Sequence, residues 1–254
     1  MKDAVGTALV TGGAKRIGRA IVEDLASHGF SVAIHANKSV AEAERLAAQI
    51  VARGGRAEPI IADLADMEAA ASVVEKAGAA LGPVSLLVNC ASVFEDDSVL
   101  DFDWEGWDRH FAVNLKAPVL LAKTFSQALP QECEGLIVNI IDQRVWRPRP
   151  RYFSYALSKS ALWSATQTMA QALAPRIRVN AIGPGPTLRN IRQSDADFSA
   201  QVDGLILKRG PALKEFGETI RYFWQARSVT GQMVALDGGQ HLAWQTPDVT
   251  GMAE

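Results

Sequence analysis

Seven short apolar runs recur along the 254-residue chain, each followed by a longer stretch, and this alternation limits the fold more than any other feature. The runs are TALVTG (7–12), SVAIH (31–35), AEPIIADL (57–64), VSLLVNCA (84–91), GLIVNIID (135–142), IRVNAIGPGP (177–186) and GQMVALDGG (231–239). Between them lie helical patterns. The first covers 16–29, with apolar Ile17, Ile21, Val22 and Leu25 on one face, and the second is Ala-rich and closes on Gly54 and Gly55. Further helices are expected over 67–81 and 104–129, and one carrying Tyr155 runs to Leu173. Strands that are apolar without alternation must be covered on both faces, which calls for a parallel sheet between two helical layers.

The expected architecture is therefore α/β: a single-domain, Rossmann-type, doubly wound fold with a seven-stranded parallel sheet. No Pro/Gly/Ser-rich linker divides the chain, so residues 1–254 read as one domain. The net charge of −2 and the absence of a basic block nominate no nucleic-acid partner. Cys90 and Cys133 form no CxxC pair, and His28, His35, His110 and His241 are scattered, so no metal site is expected. The opening apolar run is too short for a signal peptide, and no segment approaches the ~20 apolar residues of a membrane span. These features predict a soluble, cytoplasmic protein acting on a small molecule. Segment 186–211 is long, polar and weakly periodic, which predicts a flap over a site; a plain surface excursion is the alternative.

The first strand runs into TGGAKRIG (11–18), a Gly-rich turn opening a helix. Such a turn lets the backbone approach a pyrophosphate, whose charge the helix N-terminus favours. Gly12 and Gly18 are present, and Arg16 occupies the place where a third glycine is common. NAD sites carry an acid at the end of strand two to hold the ribose 2′-hydroxyl. HANKS (35–39) has none, and Arg16, Asn37, Lys38 and Ser39 could bind a 2′-phosphate instead. NADPH is thus the expected cofactor; Arg16 and Lys38 as solvated helix-start charges is the other reading. Asp63 and Leu64, after strand three, are placed to meet the adenine, although Asp63 could merely cap a turn.

TGGAKRIG, NCAS (89–92), Asn114, YALSK (155–159) and GPGP (183–186) together resemble the short-chain dehydrogenase/reductase family over nearly the whole chain. That resemblance implies a catalytic set of Asn114, Tyr155 and Lys159, with a fourth position at 142. Tyrosine would give a proton to the reduced substrate. Lysine would bind the nicotinamide ribose and lower the tyrosine pKa, and asparagine would support a water relay behind it. It also implies cofactor contacts from Gly12, Ile17, Gly18, Asn89, Ala91, Tyr155, Lys159, Pro184, Gly185 and Thr187, and a homotetramer built on helices 104–129 and 152–173. Three departures are similar to pteridine reductases and bacterial dihydromonapterin reductases: Arg16, Asp142 where a serine is usual, and NCASVF (89–94). In that branch Ser92 and Phe94 correspond to substrate-contacting positions, the aromatic stacking on the substrate.

The carboxylate is chemically informative. A serine hydroxyl can donate to a ketone oxygen as it becomes an alkoxide, whereas an ionised Asp142 only accepts. It suits a substrate presenting N–H groups and a C=N reduction, and a planar pterin gives Phe94 a face to stack on. Asp142 turned away as a loop cap, and Phe94 as core packing, are the structural alternatives. Arg144, Arg147, Arg149 and Arg151 could attract an acidic substrate tail or form a solvated rim, and Trp104 and Trp107 read as core or subunit-interface residues. Two competing functions stand beside pterin reduction. One is NADPH-dependent reduction of a 3-oxoacyl or sugar ketone. The other is a non-catalytic NADPH-binding sensor, against which the intact Asn114, Tyr155 and Lys159 argue. The role of the tail TPDVTGMAE (246–254) is open.

Overall fold

Seven parallel strands form one sheet in the order β3-β2-β1-β4-β5-β6-β7 in the computed structural model, which describes residues 5–190, 192–246 and 250. They are β1 (Gly6–Val10), β2 (Phe30–Ala36), β3 (Ala57–Ile61), β4 (Val84–Asn89), β5 (Gly135–Ile140), β6 (Ile177–Pro184) and β7 (Met233–Leu236). The helices are α1 (Arg16–Ser27), α2 (Val40–Ala52), α3 (Met67–Ala71), α4 (Val73–Leu81), α5 (Trp104–Phe111), α6 (Ala117–Ala128), α7 (Phe153–Leu173), α8 (Asp195–Asp203) and α9 (Lys214–Gln225). The Rossmann-type fold expected from the alternation is the one observed. Most of the C-terminal tail lies outside the described residues.

Strand pleating sorts neighbouring residues to opposite faces. Ala8, Val10, Val32, Ile34, Leu86, Val88, Leu136 and Val138 join the core formed with α1, α2 and α9. Leu9, Ala33, Leu87 and Ile137 face the other core, with α4, α6 and α7. Both faces are dry, which is why the strand sequences show no polar alternation.

Two helices expected as single elements are interrupted, each for a local reason. The 67–81 helix breaks at Ser72, whose hydroxyl donates to the Ala69 carbonyl and competes with the helical ladder. The 104–129 helix widens into a π-turn over Ala112–Lys116, where the Ala117 N–H reaches back to the Ala112 carbonyl. Pro118 has no N–H to offer the Asn114 carbonyl, so the ordinary spacing cannot be kept there. Helix α9 was not expected, although Phe216, Ile220 and Phe223 recur at helical spacing and are fully buried against α1.

The Gly-rich turn is set by contact distance. A Cβ on Gly18 would lie 2.2 Å from the Gly12 carbonyl oxygen. Backbone cannot yield as a flexible side chain does, so Gly18→Ala is expected to destabilise the protein by about 1–3 kcal/mol, read as a lowered midpoint in urea unfolding. An unchanged midpoint would show that the turn can open at no cost.

Candidate active site

The carboxyl ends of β1, β4, β5 and β6 open onto a cleft of about 700 Å³. In a parallel sheet this edge is where ligands bind, because the strand order reverses there and the loops diverge. Thr11 closes the floor: its hydroxyl accepts from the backbone N–H groups of Cys90 (2.9 Å) and Ala91 (3.0 Å), tying the end of β1 to the β4 turn. Gly12 adopts φ +63°, and a Cβ there would meet the Ala91 backbone at 2.9 Å. Its N–H donates to Nδ1 of the buried His35 (3.2 Å), so the ring's Nε2 carries the proton and donates to the Ala62 carbonyl at 3.1 Å. Burial lowers the His35 pKa to about 4, which keeps that tautomer neutral. No local sequence pattern marks this histidine as ordering the Gly-rich turn.

Helix α1 begins in the cleft with no side-chain cap on its first N–H groups and no acidic residue in its first turn, while Lys15, Arg16, Ile17 and Gly18 line the wall. Unpaired amide donors beside two cations suit an anionic diphosphate, so the cleft fits the dinucleotide expected from the sequence. Arg16, however, donates from its two terminal guanidinium nitrogens to the carbonyls of Leu188 and Arg189, each at 3.2 Å. Instead of standing free for a phosphate, it ties segment 186–211 to the start of α1. Asn37 and Lys38 are exposed and Ser39 half-buried at the end of β2; none of the three lines the main cleft. Lys38 makes no ion pair among the described residues.

Three further expected cofactor residues, Asn89, Asp63 and Leu64, lie outside the lining of this cleft. The Asn89 side chain is buried and donates to Asn139 across the β4–β5 pair (2.8 Å), while its Oδ1 has no partner among the described residues. Leu64 is buried in the core against α4, away from the cleft, and Asp63 caps its own turn by accepting from the Ala65 N–H at 2.9 Å. Ala91, Pro184, Gly185 and Thr187 do line the cleft, as do Gly12, Ile17 and Gly18.

Asn114 is fully buried at the π-turn, and every polar atom of its side chain is engaged. Oδ1 accepts from the Val93 N–H (2.9 Å) and the Ser92 hydroxyl (3.2 Å), while Nδ2 donates to the Val93 carbonyl and the Ser158 hydroxyl, both at 3.0 Å. An amide has two donor hydrogens and two lone pairs, so nothing of this side chain is left for a water relay. It instead binds the loop after β4 to helix α7.

Asp142 and Tyr155 meet directly. The Tyr155 hydroxyl donates to Asp142 Oδ2 at 2.9 Å, and Oδ1 accepts from the Arg144 N–H at 2.8 Å. Asp142 therefore caps the short turn after β5 and faces the tyrosine at once. Lys159 lies one turn along α7, buried, donating to the Ile140 carbonyl at 2.9 Å with its nitrogen 5.9 Å from the centre of the Tyr155 ring. Burial lowers its pKa to about 8, partly offset by Cys90 and Asp142. Tyr155 departs from expectation: burial and the Asp142 carboxylate push its pKa well above the usual phenol value, with only Arg144 opposing. The lysine was expected to lower it; here burial first, and then the neighbouring anion, set the direction.

Phe94 lines the same cleft and touches Tyr155 edge-on at 4.7 Å. Its ring stacks on Tyr152 at 4.4 Å and 6°, so one face is already taken by a residue the sequence reading did not single out. The loop that carries it is anchored twice more. Asp97 accepts from the Ser154 N–H (3.1 Å) beside Tyr155, and buried His110 accepts from the Glu95 N–H through Nε2 at 3.2 Å. Gln143 Oε1 and Arg144 Nη1 are buried at the cleft without hydrogen-bond partners among the described residues. Segment 186–211 forms one wall, with α8 started by a reciprocal Ser194–Asp197 capping box. Trp104 is 68% exposed on α5, so it is not a core residue.

The short chain dehydrogenase family model matches residues 6–199. The FolM alternative dihydrofolate reductase 1 of Brucella canis, solved with NADP, is 60% identical, with a TM-score of 0.95 over 97% of this chain and 98% of that one. A blue fluorescent protein from a metagenomic library, in complex with NADPH, is 32% identical with a TM-score of 0.87 over 93% and 98% of the two chains. The L-xylulose reductase of Bos taurus is 34% identical over 240 residues, 91% of this chain and 95% of its own.

Because the Asp142 carboxylate contributes to the raised Tyr155 pKa, its removal has a defined sign. In Asp142→Asn the Tyr155 phenol should ionise at lower pH than in the parent, while burial still keeps it above the ordinary value. Phenolate absorbance during alkaline titration, with Tyr155→Phe as the reference, reads this directly. An unchanged titration would mean that the carboxylate does not act on the phenol.

Proposed function

The chain belongs to the short-chain dehydrogenase family, and from that premise we propose that it is an NADPH-dependent reductase of a pterin, taking a dihydropterin to its tetrahydro form. The observation that carries this reading is the hydrogen bond from the Tyr155 hydroxyl to the Asp142 carboxylate. The identity to a dihydrofolate reductase solved with NADP supports it independently.

The residues divide the work as follows. Bound NADPH would supply a hydride, and Gly12, Ile17, Gly18 and the open start of α1, with Ala91, Pro184, Gly185 and Thr187, are the residues that would hold the dinucleotide. Lys38, exposed at the end of β2 with Asn37 and Ser39 beside it, favours a 2′-phosphate over a bare ribose, since no acid stands there to repel it. Reduction of a ring C=N also consumes a proton at nitrogen. Tyr155 keeps its proton at neutral pH because its phenol is hard to ionise, so it arrives loaded. Lys159 retains its ammonium below a pH of about 8 and lies beside the ring, where it opposes the charge left when that proton departs.

Asp142 contributes selectivity. A carboxylate has about four acceptor positions. Two are used by Tyr155 and the Arg144 N–H, and the others can accept N–H groups from an amino-substituted heterocycle. A ketone offers no donor there, and its developing alkoxide would face a like charge. Ser92 and Phe94 are the remaining substrate-contacting residues in this scheme, with Phe94 offering the ring face that Tyr152 does not cover. Segment 186–211 acts as a flap, and the assembly is a homotetramer in which α5–α6 and α7 meet their counterparts and cover Trp104.

Carbonyl reduction is the second reading, favoured by the likeness to L-xylulose reductase. NADPH oxidation by the purified protein separates the two when dihydropterins and simple ketones are compared at matched concentration. Turnover confined to dihydropterins is expected, with Asp142→Ser lowering it at least ~100-fold, the scale of a positioned acid–base group. Efficient ketone turnover with inert pterins would overturn the pterin reading.

A further inference from the structure

Two buried glutamines meet in the wall of the cleft. Gln143, in the short turn after β5, is 2% exposed, and Gln240, in the turn after β7, is 8% exposed; both line the cleft. Gln143 Nε2 donates to Gln240 Oε1 at 2.9 Å, which spends one hydrogen and one lone pair. Among the described residues, Gln143 Oε1 is left buried without a partner and Gln240 Nε2 makes no hydrogen bond. Both turns are held in place. Asp142 caps the first through the Arg144 N–H, and Val145 packs against the small core of Ile141, Leu162, Ala181 and Met233. In the second, the buried Asp237 carboxylate accepts from the N–H groups of Gly239 (2.9 Å) and His241 (2.8 Å). Arg147 Nη1 donates to the Gln240 carbonyl at 3.2 Å and joins the two turns a second time.

A structural bridge does not account for the pair. A stranded buried carbonyl oxygen is destabilising, and two apolar side chains would join the turns without it. The terminal torsion of a glutamine is broad, so a modest turn of either amide brings the unspent groups to a ligand in the cleft. A carboxylate would be repelled by Gln143 Oε1, and an ammonium has no lone pair to receive a hydrogen from Gln240 Nε2. A hydroxyl donates to the first and accepts from the second. If both amides are turned over together, their mutual bond survives and donor and acceptor trade places, and a hydroxyl still satisfies both.

We infer that Gln143 and Gln240 determine specificity by binding one neutral hydroxyl of the substrate, on a substituent of the ring that Asp142 and Tyr155 address. This rests on the reading of the cleft proposed above and deepens it, adding selectivity for the substituent to selectivity for the ring. Because Gln143 follows Asp142 directly, one short turn carries both the residue that faces the reacting ring and the residue that faces its substituent.

The test uses the full-length protein with NADPH and two substrates that share the dihydropterin ring: dihydroneopterin, whose side chain carries hydroxyls, and the analogue with a methyl group in place of that side chain. The quantity read is the ratio of their kcat/KM values. In the parent protein the ratio should favour the hydroxylated substrate by about ten-fold or more, a reading that needs no variant to fold. It should hold when NaCl is raised from about 0.05 to about 0.5 M, because salt does not screen a neutral hydroxyl. Gln143→Met and Gln240→Met, which keep the length of the side chain and remove the amide, are each expected to lower the ratio by about ten-fold, the scale of a neutral hydrogen bond. A parent ratio near one, a ratio that collapses in salt, or a ratio that a folded variant leaves unchanged overturns the inference, and the pterin reading stands because both substrates still turn over. Failure of both substrates to turn over in the parent overturns the pterin reading and this inference with it.

Discussion

Asn114 holds the site together. Its four side-chain hydrogen bonds join the loop after β4 to helix α7, and so set Ser92 and Phe94 against Tyr155 and Lys159. The geometry begins further down the chain, at Pro118, whose missing N–H accompanies the π-turn in which Asn114 sits. Asp97 and His110 brace the same loop from either side. A group buried this completely cannot lose a partner cheaply, because each stranded donor or acceptor costs ~1–3 kcal/mol. Tyr155 and Lys159 therefore rest on a framework in which side-chain hydrogen bonds tie the loop after β4 to helix α7.

Within that framework the Asp142–Tyr155 contact carries the proposed chemistry. A hydroxyl in place of the carboxylate would leave the phenol with a neutral neighbour. The anion here favours the protonated phenol and places acceptor oxygens beside it, a combination suited to nitrogen heterocycles. Lys159 supplies the counterbalance, buried yet charged at neutral pH. Its nitrogen lies 5.9 Å from the centre of the tyrosine ring.

Much of this was legible in the sequence, for reasons that are local. Apolar runs without alternation announced a parallel sheet, the Gly-rich turn announced the first βα junction, and Tyr155 and Lys159 lie one helical turn apart on any helix. Asp142 falls at a strand end, where ligands meet such sheets. What sequence reasoning missed depends on long-range approach. His35 orders the Gly-rich turn across two strands, Tyr152 covers a face of Phe94, and Arg16 reaches residues 188 and 189 instead of standing free. The Asn89 side chain pairs with Asn139 across the sheet and Leu64 packs into the core, placements that no local pattern announces. Helix α9 carries helical periodicity in Phe216, Ile220 and Phe223, directly after the long polar segment.

The account makes one central claim, that the Asp142 carboxylate faces the nitrogen edge of a pterin. A crystal structure with NADP and a dihydropterin tests it most directly. The account predicts ring N–H groups within ~2.6–3.2 Å of the Asp142 oxygens, with the Tyr155 hydroxyl against the same ring. A pterin bound elsewhere in the cleft, with Asp142 still held only by Tyr155 and the Arg144 N–H, would contradict it.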